Sequence, residues 1–217
     1  MGYTKDEVEL FELITRILCD YTPDIGIDAV CIFGETVENE RSMLEEAAGI
    51  FHSGIARSVA ITGFEGTHSG NLNCSSGEEL KNKLIDEFLV ADGLIRLFPL
   101  SKKLPPCTDA EAIGLVEYAT KQGLESLVLT LPPLHQVRGM ISLISAVLKA
   151  GSSLKVYSIP ALAPLWTENV MHSQSAPRAP RHAQFGGELA KLIRYMEKGN
   201  HMSPREILDY LNQRDNV

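Results

Sequence analysis

Five short apolar runs punctuate residues 28–159, and between them apolar positions recur at helical spacing. The runs are Asp28–Glu35 (DAVCIFGE), Ser58–Phe64 (SVAITGF), Leu94–Leu100, Ser126–Leu131 (SLVLTL) and Leu154–Ile159. Consecutive Val, Ile, Leu and Phe dominate them, which is how strands covered on both faces read. Val8–Cys19 precedes the first run and carries Val8, Leu10, Phe11, Leu13, Ile14, Ile17 and Leu18 at helical spacing. Asn39–His52, Gly77–Ala91, Thr108–Gln122 and Leu134–Lys149 read as helices between the later runs. Punctuation agrees: Gly123 and Gly151 stand where helices stop, and Pro133 stands where one starts. Phe64–Ser76, rich in Gly, Ser, Asn and Thr, reads as a loop.

Alternating strands and helices imply right-handed crossovers and a parallel sheet with helices on both faces. The expected fold is therefore α/β, doubly wound and Rossmann-like, with five parallel strands in the order 3-2-1-4-5 and the first strand central. Residues 1–160 form this core together with the N-terminal helix. Residues 161–183 contain Trp166, two His and several Pro and read as an irregular loop. Loops of such length are usually functional or disordered. Residues 184–217 supply two helices, Gln184–Lys198 and Ser203–Gln213, packed on the core or on a partner. The second opens on Ser203-Pro204-Arg205-Glu206, a capping box with Pro at the first helical position. Its apolar face (Ile207, Leu208, Leu211) leaves room for a homodimer.

Composition narrows the function classes. Hydrophobic residues make up 44% and charged residues 22% of the chain, an ordinary globular balance. The formal charge of -8 argues against a nucleic-acid partner, whose phosphates need a clustered positive surface; the one basic patch expected lies near Arg178 and Arg181. Met1–Glu12 is polar and acidic, so no secretory start is expected, and no apolar run is long enough for a membrane span. Cys19, Cys31, Cys74 and Cys107 are widely spaced and read as free thiols, which suits a reducing cytoplasm.

In open parallel sheets ligands sit beyond the carboxyl ends of the strands. That rule selects Gly34, Glu35 and Thr36 after the first run and Thr62, Gly63 and Phe64 after the second. It selects Ser101, Thr108, Asp109 and Glu111 after the third, and Thr130, His135 and Arg138 after the fourth. After the fifth it selects the loop with Trp166, Glu168, His172 and Arg178. His135 and Arg138 share one helix face near its start, where free backbone N–H groups and a guanidinium would hold an anion. Arg138 is expected near the surface, so that its loss would leave the fold intact. A capping histidine and a structural ion pair are the competing reading. Thr108 and Glu111 also spell an ordinary Thr-x-x-Glu capping box. Arg41 is equally well explained by a solvated helix face, and Glu78 with Glu79 by the helix dipole. P-loop, Gly-x-Gly-x-x-Gly, Gly-x-Ser-x-Gly and metal-spacing motifs are missing, so no metal site is expected.

An ordered set of segments resembles the YdcF/SanA/ElyC family between about Asp28 and Tyr195. DAVCIFGE resembles its opening strand. Arg41, Ala47 and HSGIARSVAITG resemble the following helix and second strand. SSGEEL, CTDAEA, LVLTLPPLHQVRG and FGGELAKLIRY resemble its later motifs in order. The chain departs from the pattern at three places. The glycine cluster after the first strand is reduced to Gly34-Glu35-Thr36, the acidic position two after Thr108 is Ala110, and the stretch from Thr130 to His135 is one residue longer. The resemblance implies a Rossmann-like fold and an S-adenosylmethionine-type ligand, and it assigns no reaction.

Two functions are expected from this reading. The first is a site for an anionic or nucleotide-like small molecule, such as S-adenosylmethionine or a sugar phosphate. There His135 is the acid/base, Glu111 orients it or holds a ribose hydroxyl, and Gly34, Glu35, Arg41, Thr62, Gly63, Glu78, Thr108 and Arg138 bind ligand. The second is a non-catalytic sensor or scaffold acting through the terminal helices.

Overall fold

The computed structural model describes residues 4–23, 26–69, 72–171 and 178–215. In chain order the elements are α1 (Lys5–Leu18), β1 (Ala29–Ile32), α2 (Val37–His52), β2 (Val59–Thr62), β3 (Thr67–Ser69), β4 (Leu72–Cys74), α3 (Gly77–Asp86), β5 (Ile95–Phe98) and α4 (Thr108–Gln122). They continue with β6 (Ser126–Leu129), α5 (Pro133–Ala150), β7 (Lys155–Ser158), β8 (Asn169–Val170), β9 (Ala179–Pro180), α6 (Arg181–Glu197) and α7 (Pro204–Asp215).

Five strands form one all-parallel sheet in the order β5-β2-β1-β6-β7, the expected 3-2-1-4-5 arrangement. Val30 of the central β1 lies in register with Val59 on one side and Val128 on the other. All four residues of β1 and of β2 are buried, as consecutive apolar residues require when helices cover both faces. Glycine lets two helices settle against strand ends. A Cβ on Gly77 would stand 2.2 Å from the Thr62 carbonyl oxygen, and one on Gly114 would stand 2.2 Å from that of Pro99. The first turn of α3 and the second turn of α4 are thereby seated against the ends of β2 and β5.

An open sheet has an outer edge whose backbone groups need partners. On β7 the C-terminal helix supplies them. The Val156 amide donates to the Tyr210 hydroxyl at 2.8 Å, and that hydroxyl donates to the Leu154 carbonyl at 2.7 Å. Arg214 donates to the Val156 carbonyl at 2.6 Å, and the Ser158 amide donates to Asp20 at 2.9 Å. Asp20 and Arg214 pair at 2.6 Å with both side chains only 1% exposed. Ile207, Leu208 and Leu211 are buried in the same interface, so α7 docks within the chain. Its Ser203–Glu206 capping box is formed.

Several local expectations change. Each strand is shorter than its apolar run, because the run's ends turn into the loops that carry polar residues. α3 stops at Asp86 instead of Ala91, and Leu89 follows at a φ of 56°. The 64–76 stretch holds a short antiparallel hairpin, β3 with β4, and the 161–183 stretch holds the β8–β9 pair. α1 begins earlier, at a capping box made by Thr4 and Glu7. Among the described residues no basic patch forms at Arg178 and Arg181: Arg181 is buried, and Arg178 pairs with Glu38. Cys31 and Cys74 are buried free thiols, and Cys19 and Cys107 are exposed ones. No helix among the described residues is long and apolar enough to cross a membrane.

Removing one partner of a buried ion pair costs about 3–5 kcal/mol, whereas surface changes usually stay within about 0.5 kcal/mol. Arg214→Ala is therefore expected to lower the urea-unfolding free energy by that larger amount, and Arg41→Ala by no more than the smaller. Equal effects of the two substitutions would contradict the docking of α7.

Candidate functional site

The loops that leave the carboxyl ends of β1, β5 and β6 bring four side chains into one buried chain of hydrogen bonds. Glu35 follows β1, Thr108 opens α4, and His135 and Arg138 lie in the first two turns of α5. The Glu35 carboxylate meets His135 Nδ1 at 3.0 Å. His135 Nε2 meets the Thr108 hydroxyl at 3.2 Å. The same hydroxyl oxygen accepts from Arg138 Nη1. Arg138 Nε donates to Glu188 of α6 at 2.6 Å, and Lys191 donates to the other oxygen of Glu188 at 2.8 Å. Glu35, Thr108, His135, Arg138 and Glu188 are each between 4% and 7% exposed.

Hydrogen-bond chemistry fixes the direction of this chain. Arginine only donates, so Thr108 Oγ1 accepts from Arg138. Burial raises the Glu35 carboxyl. The hydrogen bond and charge of His135, the Thr36 amide and the charge of Arg138 outweigh that and hold it below the usual carboxylate range. An ionised carboxylate only accepts, so the proton between Glu35 and His135 sits on Nδ1. Burial, then the charge of Arg138, holds His135 below the ordinary histidine value despite Glu35 and Glu188. Near neutral pH the imidazole is thus uncharged, and its bare Nε2 accepts the Thr108 proton.

Glu111 lies beside this chain. Its Oε1 accepts from the Gly34 amide at 2.6 Å. Burial pushes its carboxyl up to about 7, with the charge of Glu35 adding, against the Gly34 amide, the Thr62 hydroxyl and the charge of Arg138. Glu111 therefore makes no hydrogen bond to His135 and does not orient it; Glu35 does. Burial, then the negative charges of Glu35, Glu111 and Glu40, pushes the Cys74 thiol up to about 11, so it is no thiolate nucleophile at neutral pH.

The space over His135 is small. A cavity of about 20 Å³ lies between Glu35, His135 and Arg138 on the core side and Trp166, Arg181 and Glu188 on the C-terminal side. Its cover is latched by Arg181. That side chain donates to Asn39 at 2.8 Å, to the Glu38 carbonyl at 2.9 Å, to the Leu165 carbonyl at 2.7 Å and to Glu168 at 2.6 Å.

The structure sorts the expected site residues. Gly34, Glu35, Thr62, Thr108, Glu111, His135 and Arg138 come together. Thr108 and Glu111 do not form a capping box: Cys107 is the N-cap of α4 and makes no side-chain cap bond, while both side chains turn across to the sheet edge. Gly63 lies on the same edge but is exposed, and its amide donates to the Phe98 carbonyl. Arg41 is outside the group. It is 69% exposed, pairs with Glu45 and Glu87, and stacks on Phe88. Glu78 is exposed on the first turn of α3, as the helix dipole alone would favour. His172 lies outside the described residues. Arg138 is buried and ion-paired, so its loss is costly. The expected anion cradle at the start of α5 is nearly gone. Pro132 and Pro133 have no N–H, and the amides of His135 and Gln136 both donate to the Pro132 carbonyl. Sequence reasoning missed Asn39, Arg181 and Gln184; only the resemblance pointed to the helix that carries Glu188. Among the described residues no group of three or more His, Cys, Asp and Glu is placed to hold a metal ion. No family model matches the chain, and no curated protein matches it.

A carboxyl whose folded pKa lies above its unfolded value is protonated in the folded state and ionised in the unfolded state between the two values. Its contribution to stability is lost as pH rises through that window, here from about 4.3 when unfolded to about 7 when folded. Glu111→Gln keeps an acceptor for Gly34 and removes the titration. Its stability relative to the parent is expected to rise across this window and to level off above pH 7, with a span on the order of 3 kcal/mol. Urea unfolding at several pH values measures it, and a pH-independent difference would contradict a buried, neutralised Glu111.

Proposed function

We propose that this edge of the sheet binds an anionic or nucleotide-like small molecule and that His135 acts there as a general base. One observation carries the reading: a buried imidazole stands between a carboxylate and a hydroxyl, with Nδ1 3.0 Å from Glu35 and Nε2 3.2 Å from Thr108. Glu35 fixes the tautomer and stabilises the imidazolium that forms when Nε2 takes a proton, the role of a carboxylate in acid–base pairs generally. Arg138 Nη2 carries no hydrogen bond among the described residues, which makes it the donor for an anionic group. Ligand pockets usually enclose about 300–1,000 Å³, so a ligand of this size requires the cover formed by Pro164, Trp166 and the Arg181 latch to move.

The small cavity favours a second reading, in which the polar chain merely fastens α4, α5 and α6 together and the protein is a non-catalytic sensor or scaffold. Trp166 separates the two. It is the single tryptophan of the chain and lines the same cavity as His135 and Arg138. Titration with S-adenosylmethionine, sugar phosphates or inorganic phosphate is expected to change Trp166 fluorescence saturably for at least one of them. The same compound should raise the Tm, because ligand at a hundredfold excess over Kd stabilises by about 2.7 kcal/mol. His135→Gln should leave that binding nearly unchanged while lowering turnover. A panel that moves neither signal would support the scaffold instead.

A further inference from the structure

Thr108 has two features that a merely binding hydroxyl does not need. Its proton points at a general base, and its oxygen accepts from a guanidinium that would stabilise an alkoxide. The order carboxylate, imidazole, hydroxyl along Glu35, His135 and Thr108 is that of the hydrolytic triads, with each ring nitrogen serving one neighbour. Thr108 is also reachable from a side that the described residues of the 161–183 stretch do not line. It borders a cleft of about 40 Å³ together with Asp109, Arg138 and Ser142. Asp109 and Ser142 are walls of a wider groove of about 260 Å³ as well, whose apolar lining includes Leu104, Ile113 and Ala146.

A rival nucleophile stands in that groove and fails on geometry. Ser142 and Asp109 both meet the same His201 nitrogen, Nε2, at 3.1 and 2.9 Å. His201 Nδ1 is buried without a partner. A relay needs a carboxylate on one nitrogen and a hydroxyl on the other, so this cluster is not one.

We propose that Thr108 is an acyl-accepting nucleophile for a carboxylic ester or thioester whose small apolar acyl group lies in the groove between α4 and α5. The inference rests on His135 as a general base. The hydrogen bonds of His201 and Ser142 hold the Asp109 carboxyl below its usual range although burial raises it, with the charges of His201 and Arg138 adding. A negative group beside Thr108 disfavours an anionic electrophile and favours an uncharged acyl carbon. The step balances within the site. His135 Nε2 takes the Thr108 proton as Oγ1 bonds to the carbonyl carbon. The tetrahedral adduct collapses, the bond to the leaving oxygen or sulfur breaks, and that atom takes the proton from Nε2. Water then attacks the acyl-Thr108 ester, giving a proton to the same nitrogen; the bond from the acyl carbon to Oγ1 breaks, Oγ1 takes that proton back from Nε2, and the acid leaves. The first intrahelical bond of α4 runs from the Glu111 amide to the Cys107 carbonyl, so the amides of Thr108, Asp109 and Ala110 lie outside the helical ladder.

The test uses the full chain and p-nitrophenyl acetate, read by intact mass and by peptide mapping of the acylated residue. One acetyl group on Thr108 is expected. Thr108→Val should abolish it, and Thr108→Ser should retain it, which guards against a Val variant that fails to fold. His135→Gln should slow acylation by about a hundredfold or more. Acetylation confined to Ser142, a lysine or a cysteine, an unchanged rate in Thr108→Val, or no acetylation at all would overturn the assignment. If Trp166 still responds to ligand and His135→Gln still lowers turnover while Thr108 stays unmodified, the base reading stands and the nucleophile falls. If neither occurs, both fall.

Discussion

A guanidinium taken out of water must be met by charge and hydrogen bonds, and Arg138 is such a group, 4% exposed in the second turn of α5. Its partners come from two other elements: Thr108 at the start of α4 and Glu188 in α6. That requirement explains much of the arrangement at this edge. α6 is drawn over the carboxyl ends of the strands, because Glu188 is the carboxylate that neutralises Arg138. Thr108 is drawn away from its own helix end, because its oxygen has a stronger donor across the gap. His135, one turn earlier on α5, then stands between Thr108 and Glu35. The apolar sheet beneath supplies the low dielectric that strengthens each of these bonds and makes each one necessary.

The same bonds restrict the site. Polar groups around the cavity are already matched: Arg138 pairs with Glu188, Arg181 pairs with Glu168 and donates to Asn39, and the uncharged His135 hydrogen-bonds Glu35. A ligand entering over His135 must displace part of that matching, whereas a ligand reaching Thr108 along the α4–α5 groove need not. The geometry thus separates a covered, polar half of the site from an open, partly apolar half, with Thr108 shared between them. Directional proton placement along Glu35, His135 and Thr108 is what gives the shared hydroxyl chemical meaning.

The sheet was legible from apolar runs alone, because a strand buried on both faces leaves little ambiguity in Val, Ile and Leu. The edge to which the polar residues converge was legible too, since it follows from right-handed crossovers. What local pattern could not decide was where a polar side chain turns. Thr108-x-x-Glu111 spells a helix cap, and the structure sends both side chains across to His135, Arg138 and Gly34 instead. The seating of α4 against the Pro99 carbonyl at Gly114 is a tertiary fact with no local signature. Arg138 read as a rim cation because its partner lies 50 residues further along the chain. Arg41 and Glu78 carried the same chemistry as true site residues and differ only in facing outward. The 64–76 hairpin was hidden by its polar, Gly-rich composition.

Everything proposed at this edge depends on His135 being neutral at pH 7, with its proton on Nδ1 toward Glu35 and Nε2 open to Thr108. Long-range ¹H–¹⁵N correlation spectra of the histidine rings measure this directly, with His135→Gln identifying the signal. A neutral ring protonated at Nδ1 is the expected result. A ring protonated at Nε2, or an imidazolium at that pH, would contradict it.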